Sequence, residues 1–281
     1  MIGLERLGRR YLFTGVVRLT TGLHIGGGRP DLGASDNPVI RGVDGLPYIP
    51  GSSMKGAFRA TVERLAPVIP GVTSCGLLPE SGCPGALKSQ RVPELETLDD
   101  RALLDALDGK LCDTCQLFGS PYLRSKIDFA DLPLTDSTLP ESVAVEVRDG
   151  VAIDRDRETA VDRLKYDFEA VPAGLTFSLR LTLSVAGGDE QRAARDLGLT
   201  CLGLAEYANG FGELGGKRSR GLGKCQLDDL AIFVLDLEEG RAEDRVRRLR
   251  DYLVRQEMRP VEDWRAFITE AIDALIARAE A

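Results

Sequence analysis

The chain has 281 residues, 43% of them hydrophobic, enough to bury a sizeable core in one large domain or two modest ones. Its formal net charge of −8 argues against indiscriminate nucleic-acid binding by the whole surface. No apolar run is long enough to cross a bilayer and no charged-then-apolar leader stands at Met1, so the expected compartment is the cytoplasm, with no membrane partner. The charge is uneven: residues 1–60 carry eight Lys/Arg against four acids, whereas residues 226–281 carry fourteen acids against nine arginines. An acidic total therefore coexists with a basic face. Six cysteines in a large chain without an export signal favour metal ligation or free thiols over disulfides.

Tyr11–Leu19 reads as a strand, with Phe13, Gly15, Val17 and Leu19 on one face. Residues 21–47 form a long loop containing Gly26, Gly27 and Gly28, too long to be idle. Pro50-Gly51 then breaks the chain, and Ser52 or Ser53 is expected to cap a helix whose buried stripe is Met54, Phe58, Val62 and Leu65. Lys55 and Arg59, four apart, are expected to share another face and point away from the core. A glycine turn, two hydroxyls, unpaired N–H groups and two cations suit a phosphate backbone; the plain alternative is an ordinary capped surface helix. It is not a Walker loop, because no Gly-Lys-Ser/Thr follows at the required spacing.

Residues 67–119 read as an insertion holding Cys75, Cys83, Cys112 and Cys115, with a short helix suggested by Leu103, Leu104 and Leu107. Cys112-Asp-Thr-Cys115 has zinc-knuckle spacing, and Cys75 with Cys83 would complete a closed structural zinc site; unrelated thiols are the alternative. Lys126–Leu134 reads as a short strand. Val143–Arg148 and Val151–Asp154 flank Asp149-Gly150, which predicts a tight hairpin there, followed by a charged loop or second hairpin over Arg155–Glu169. Leu175, Phe177, Leu179, Leu181, Leu183 and Val185 alternate with polar residues in the clearest strand of the chain. A helix over 189–208 turns Leu197, Cys201, Leu204, Ala205 and Ala208 inward.

Gly210–Lys224 packs six glycines among four cations, a composition suited to an anionic ligand. Cys225–Val234 is the last strand. Two amphipathic helices follow, one with Val246, Leu249 and Leu253, the other with Trp264, Phe267, Ile268, Ile272 and Leu275; both are expected to pack on the same domain rather than face a partner. The order strand, helix, strand, strand, helix, strand predicts an α+β, ferredoxin-like or RNA-recognition-like core. The aromatic signature of standard RNA-recognition domains is absent, which points recognition toward loops and helix ends.

Four stretches, Thr21–Gly27, Ser35–Arg41, Leu46–Gly56 and the glycine-rich loop at 210–224, together resemble the repeat-associated backbone subunits (RAMP superfamily) of type III CRISPR effector complexes. Val147–Arg155 and Tyr166–Glu169 look like that family's thumb. The likeness covers about residues 10–235 and is nearest to the repeated subunit that lines the guide RNA and cleaves the target RNA. It implies a RAMP domain over 1–235, with 67–119 as the zinc insertion and about 141–172 as thumb, and a C-terminal helical extension over 236–281.

The resemblance also implies roles. Asp36 falls at the family's catalytic aspartate. Ser52, Ser53, Lys55 and Arg59, with Gly215, Gly216, Lys217, Arg218, Ser219, Arg220 and Gly221, fall where the family grips the guide backbone. His24, the only histidine, either contacts RNA or packs; Asp31 and Asp44 either assist a metal or are solvated loop carboxylates. Asp36 stands between Gly33-Ala34-Ser35 and Asn37-Pro38, an exposed turn rather than a core strand. With one histidine a two-histidine mechanism is excluded, and a carboxylate-bound Mg2+ or Mn2+ ion is the simplest remaining route to transesterification. The implied partners are crRNA, target RNA, other effector subunits and further copies or paralogues of this chain. A non-catalytic, structural crRNA-binding subunit is the alternative; a small-molecule phosphate-binding enzyme lacks any recognised nucleotide motif.

Overall fold

The structure, a computed structural model, describes residues 6–27, 35–75, 82–83, 107, 110–154 and 156–280. The strands are β1 (Leu7–Leu19), β2 (Ile127–Phe129), β3 (Glu146–Asp154), β4 (Thr159–Ala170), β5 (Thr176–Ala186), β6 (Gly212–Glu213), β7 (Lys224–Asp236) and β8 (Arg259–Pro260). The helices are α1 (Gly51–Leu65), α2 (Asp113–Phe118), α3 (Glu141–Ala144), α4 (Glu190–Ala208), α5 (Ala242–Arg255) and α6 (Trp264–Glu280).

The main sheet is antiparallel, in the order β2-β5-β1-β7-β6, with β8 paired to β7. Its four principal strands, taken in chain order, therefore lie 2-3-1-4 across the sheet, the arrangement expected of a ferredoxin-like core. Strict alternation places Phe177, Leu179, Leu181, Leu183 and Val185 of β5 in the core beside Phe13, Val17 and Leu19 of β1. Helices α1 and α4 supply Met54, Phe58, Val62, Leu199, Cys201 and Leu204 to the same core. Phe58 is its hub, 5.2 Å from the Phe129 ring and 5.7 Å from that of Tyr207.

That packing gives two glycines on helices opposite predicted behaviour. A Cβ at Gly203 of α4 would lie 2.3 Å from the Phe58 ring, whereas one at Gly56 of α1 meets nothing within 4 Å. Gly203→Ala is expected to destabilise the purified chain by about 1–3 kcal/mol through overpacking. Gly56→Ala is expected to stabilise it by about 0.4–1 kcal/mol by restricting the unfolded chain. Denaturant midpoints moving in the same direction for both would refute this account.

Several local expectations are corrected. Neither Ser52 nor Ser53 caps α1: Pro50 holds the cap position, and the Gly51 N–H donates instead to Asp131 Oδ1 at 2.7 Å. Lys126–Leu134 is regular only over β2, after which Leu132 and Leu134 make isolated bridges to Ile49 and Phe177. Asp149-Gly150 is no turn. It lies inside β3, which pairs with β4 in a single two-stranded hairpin, with Asp149 opposite Asp167 and Gly150 opposite Tyr166. The charged span after it is thus mostly the return strand of the thumb, not a separate loop.

The two C-terminal helices part company. α6 lies on α4, so close that a Cβ at Gly198 would come 2.6 Å from Leu275 Cβ, and Leu275 is fully buried. α5 does not bury its stripe as expected: Val246 and Leu253 are 66% and 68% exposed, and Leu249 also meets solvent. Its tie to the domain is polar, through Arg248 Nε donating to the Asp236 carbonyl at 2.7 Å and Tyr252 Oη accepting from Arg10 at 2.6 Å. No described helix is long and apolar enough to cross a membrane.

Candidate nucleic-acid interface

The segment carrying Asp36 lies against the inner end of β4. The Asp36 N–H donates to Asp167 Oδ1 at 2.6 Å, and the Asp167 N–H donates back to Asp36 Oδ2 at 3.3 Å. Asn37 Nδ2 donates to the Asp167 carbonyl at 3.2 Å, while the Asn37 carbonyl accepts from the Glu169 N–H at 3.0 Å. Glu169 Oε2 then takes the Val39 N–H at 3.0 Å and Arg41 Nη2 at 2.9 Å. Loop residues 36–41 are thereby stitched to Asp167 and Glu169, two alternate residues of β4. Asp36 is exposed, and its Oδ1 has no partner among the described residues. A hard oxygen donor held open in this way, beside a second carboxylate, suits a magnesium or manganese ion.

His24 is half-buried on the other side of the same strand end. Its Nδ1 lies 2.7 Å from the Glu169 carbonyl, which can only accept, so Nδ1 carries the hydrogen. The ring meets Phe168 edge-on at 5.6 Å. The His24 carbonyl accepts from the Gly216 N–H at 2.9 Å, which draws the glycine-rich loop onto this corner. Gly215 must be glycine: its φ is +69° and a Cβ would sit 2.4 Å from the His24 carbonyl oxygen. Beyond it, Lys217 Nζ stands 4.3 Å from the Phe168 ring centre and 5.0 Å from that of Tyr166. Arg218, Ser219 and Arg220 form one exposed 3-10 turn closed by Gly221, and Arg220 Nη1 donates to Tyr166 Oη at 2.8 Å. Asp36, His24 and the basic loop are therefore brought to one corner by Tyr166–Glu169.

The start of α1 is a separate surface. Ser52 is exposed and Ser53 and Lys55 are half-buried, and no hydrogen bond or ion pair among the described residues joins them to the Asp36 turn or the glycine-rich loop. Partial burial holds the Lys55 ammonium below the usual lysine range, an effect that Asp128 opposes. Arg59 does not point outward as expected. It stacks over Phe118 and donates to Glu63 Oε1 (2.7 Å), the Gly119 carbonyl (3.1 Å) and Cys115 Sγ (3.2 Å). Asp44 is occupied in its own turn, accepting from the Leu46 N–H at 3.0 Å, and Asp31 lies outside the described residues.

The four insertion cysteines do meet. The Sγ atoms of Cys75, Cys83, Cys112 and Cys115 all lie within 4.8 Å of one another, a set that can hold a metal ion. A tetrahedral ion with bonds of about 2.3 Å separates its sulfurs by about 3.8 Å, which this cluster matches with little adjustment. The crowding alone splits the thiols. The hydrogen bond from Cys115 pulls Cys112 down to about 4, and the same contact pushes Cys115 up. Burial pushes Cys83 up to about 11. The cluster is tied to the core by Arg195 of α4, buried and bonded to Gln116 Oε1 (2.7 Å), Asp113 Oδ1 (3.4 Å) and Asp196 Oδ1 (2.8 Å). Lys126 completes this network on fully buried Asp196 at 2.7 Å. Of the helix expected near Leu103, Leu104 and Leu107, only Leu107 is described, buried against this cluster.

Four contributors, Tyr166, Asp167, Phe168 and Glu169, enter the sequence analysis through the thumb likeness and not as site residues. Their signal was the alternation Tyr166-Asp167-Phe168-Glu169, which as a strand puts both acids on one face and both rings on the other.

Residues 16–226 match the RAMP superfamily, a span from β1 to the start of β7 that includes the cysteine cluster and the thumb. The chain is 28% identical over 263 residues to a Methanothermobacter thermautotrophicus protein named CRISPR system Cms endoribonuclease Csm3, covering 85% of this chain and 91% of that one. Proteins of the same name from Methanocaldococcus jannaschii (26% over 245 residues, 80% of this chain and 81% of that one) and Enterococcus italicus (28% over 229 residues, 80% and 93%) are similarly related. With three quarters of its length inside the family match and the ferredoxin-like sheet, thumb and glycine-rich loop in the expected order, the chain belongs to the RAMP superfamily.

Proposed function

We propose that this chain is a backbone subunit of a type III CRISPR effector complex that binds crRNA and cleaves complementary target RNA at Asp36. The observation that carries the reading is the corner at which exposed Asp36, His24 and the loop of Lys217 and Arg220 meet around Tyr166–Glu169. The naming of similarly sized relatives as CRISPR endoribonucleases supports the activity.

In this reading the basic loop holds the guide backbone. Lys217 and Arg220 are oriented by the Phe168 and Tyr166 rings, while the Gly216 and Gly223 N–H groups hold the loop to the His24 and Gly22 carbonyls. Asp36 faces the target phosphate from the neighbouring turn. The target's 2′-hydroxyl attacks the adjacent phosphorus, the P–O5′ bond breaks, and the products end in a 2′,3′-cyclic phosphate and a 5′-hydroxyl. A magnesium or manganese ion held by Asp36 would, when bound, stabilise the charge that develops on the phosphate oxygens. Ser52, Ser53 and Lys55 form a second phosphate contact on α1; Arg59 is committed to the cysteine cluster and supports that helix from behind. The metal of the four-cysteine set is zinc, and its role is structural. The other partners are further effector subunits, including copies or paralogues of this chain, in the cytoplasm.

The test is incubation of the assembled complex with labelled RNA complementary or unrelated to its guide. Cleavage confined to complementary RNA, lost on EDTA addition and yielding a cyclic-phosphate end, is expected; a guide-bound complex that never cuts would leave the structural subunit as the correct reading. The phosphate-grip assignment has its own check. Lys217→Ala or Arg220→Ala is expected to weaken guide binding alike for unrelated guide sequences, and to reduce the slope of log K against log salt by about 0.7 per lost contact. A loss confined to one guide sequence would mean base reading rather than phosphate contact.

A further inference from the structure

Resting on the reading of Asp36 as the cleavage residue, we infer that Asp167 is a positioning residue that fixes the Asp36 carboxylate by exchanging hydrogen bonds with it. Asp36 needs such a fixture. It is exposed and lies in an irregular segment followed by Asn37-Pro38, outside any helix or strand. Asp167, by contrast, belongs to a strand, paired with Asp149 in the thumb hairpin. The two residues bond reciprocally: Asp167 Oδ1 takes the Asp36 N–H at 2.6 Å, and the Asp167 N–H reaches Asp36 Oδ2 at 3.3 Å. The first bond sets the backbone of the turn, and the second sets the rotation of the Asp36 side chain. Oδ1 of Asp36 takes part in neither bond.

The neighbouring bonds do not duplicate this. Asn37 Nδ2 to the Asp167 carbonyl, and the Glu169 contacts with Asn37, Val39 and Arg41, hold the loop beyond Asp36 and leave its own N–H to Asp167 alone. Deleting the Asp167 side chain therefore frees the Asp36 backbone while the rest of the segment stays docked. Misplacing a reacting group by about 1 Å costs on the order of 100-fold in rate, so the effect belongs to the chemical step and not to RNA binding. What the bond requires is an acceptor oxygen, and a neutral amide provides one as well as a carboxylate does.

The experiment compares Asp167→Ala, Asp167→Asn, Asp167→Glu and Asp36→Ala in the reconstituted complex, measuring single-turnover cleavage and target affinity separately. Asp167→Ala is expected to slow cleavage by about 10- to 100-fold with target affinity within about twofold of wild type. Asp167→Asn, which keeps the acceptor, is expected to recover to within about threefold. Asp167→Glu, one methylene too long, is expected to be slow. If Asp167→Ala fails to assemble, the Asn and Glu variants decide. Normal cleavage by Asp167→Ala beside inactive Asp36→Ala overturns this inference and leaves the Asp36 reading standing. Asp167→Asn as slow as Asp167→Ala overturns it too, because the charge rather than the acceptor would then matter. So does a loss of target binding that matches the loss of rate. Normal cleavage by Asp36→Ala overturns the Asp36 reading itself, and this inference with it.

Discussion

Asp36→Ala is expected to lower target-RNA cleavage by about 100- to 1,000-fold, the usual effect of removing one group that stabilises transition-state charge. Guide and target binding should stay nearly unchanged, since Asp36 carries a negative charge, is exposed, and contributes nothing to the apolar core. For the same reason the fold should survive: an exposed substitution away from packing and caps is usually worth less than about 0.5 kcal/mol. Asp36→Asn sharpens the experiment. It preserves the bond accepted from the Asp167 N–H while removing the charge, so it should be as inactive as alanine if the carboxylate holds a cation. Chelation by EDTA should reproduce both variants. Asp36→Ala protein that cuts at the normal rate, free of wild-type chain, would place the chemistry on another residue.

The parts of this fold that were legible from sequence are those written as local periodicity. The alternation from Leu175 to Val185 and the Met54, Phe58, Val62 stripe each signal their own buried face, and the sheet order follows from placing those faces together. The failures share one cause: a partner distant in sequence overrides a local preference. Asp149-Gly150 is a strong turn signal read locally, yet a Cβ at Gly150 would meet the Tyr166 ring at 2.4 Å, so that glycine makes room for a cross-strand aromatic. Ser52 and Ser53 are good caps by composition, but Asp131, far along the chain, already serves the first N–H of α1. Arg59 looked free because nothing nearby in sequence announces Gly119 and Cys115 as its acceptors.

The candidate site divides in the same way. Asp36 and the basic loop could be singled out by residue type and order, whereas the piece that joins them, Tyr166–Glu169, lies about 130 residues after Asp36 and shows itself only through alternation. On α5 the periodicity correctly marks an apolar stripe, but a stripe does not say what covers it. Val246 and Leu253 remain exposed while the helix is moored by Arg248 and Tyr252.

Removing one thiolate from the cysteine cluster is expected to have the largest effect on stability. Cys112→Ser or Cys115→Ser should reduce bound zinc from one ion per chain to none, because binding at a closed four-ligand site depends on all four. Structural zinc sites contribute about 10–16 kcal/mol of apparent binding free energy at neutral pH, which in an insertion with little core is folding free energy. The described apolar core of this region is small, with Leu107, Leu111 and Cys115 as its buried members. The loss should spread to α1 and α4, since Arg59 rests on Cys115 and Arg195 on Asp113 and Gln116. In a domain of this size each 1 kcal/mol shifts Tm by about 2–4 °C, so a drop of 10 °C or more is expected wherever unfolding remains a single transition. Cys201→Ala supplies the control. Cys201 is fully buried in α4 and stands apart from the cluster, so its variant should lose modest packing energy and keep its zinc. Metal analysis that found no zinc in the wild-type chain, or full zinc in Cys112→Ser, would show that the four thiols serve only as a packed sulfur cluster.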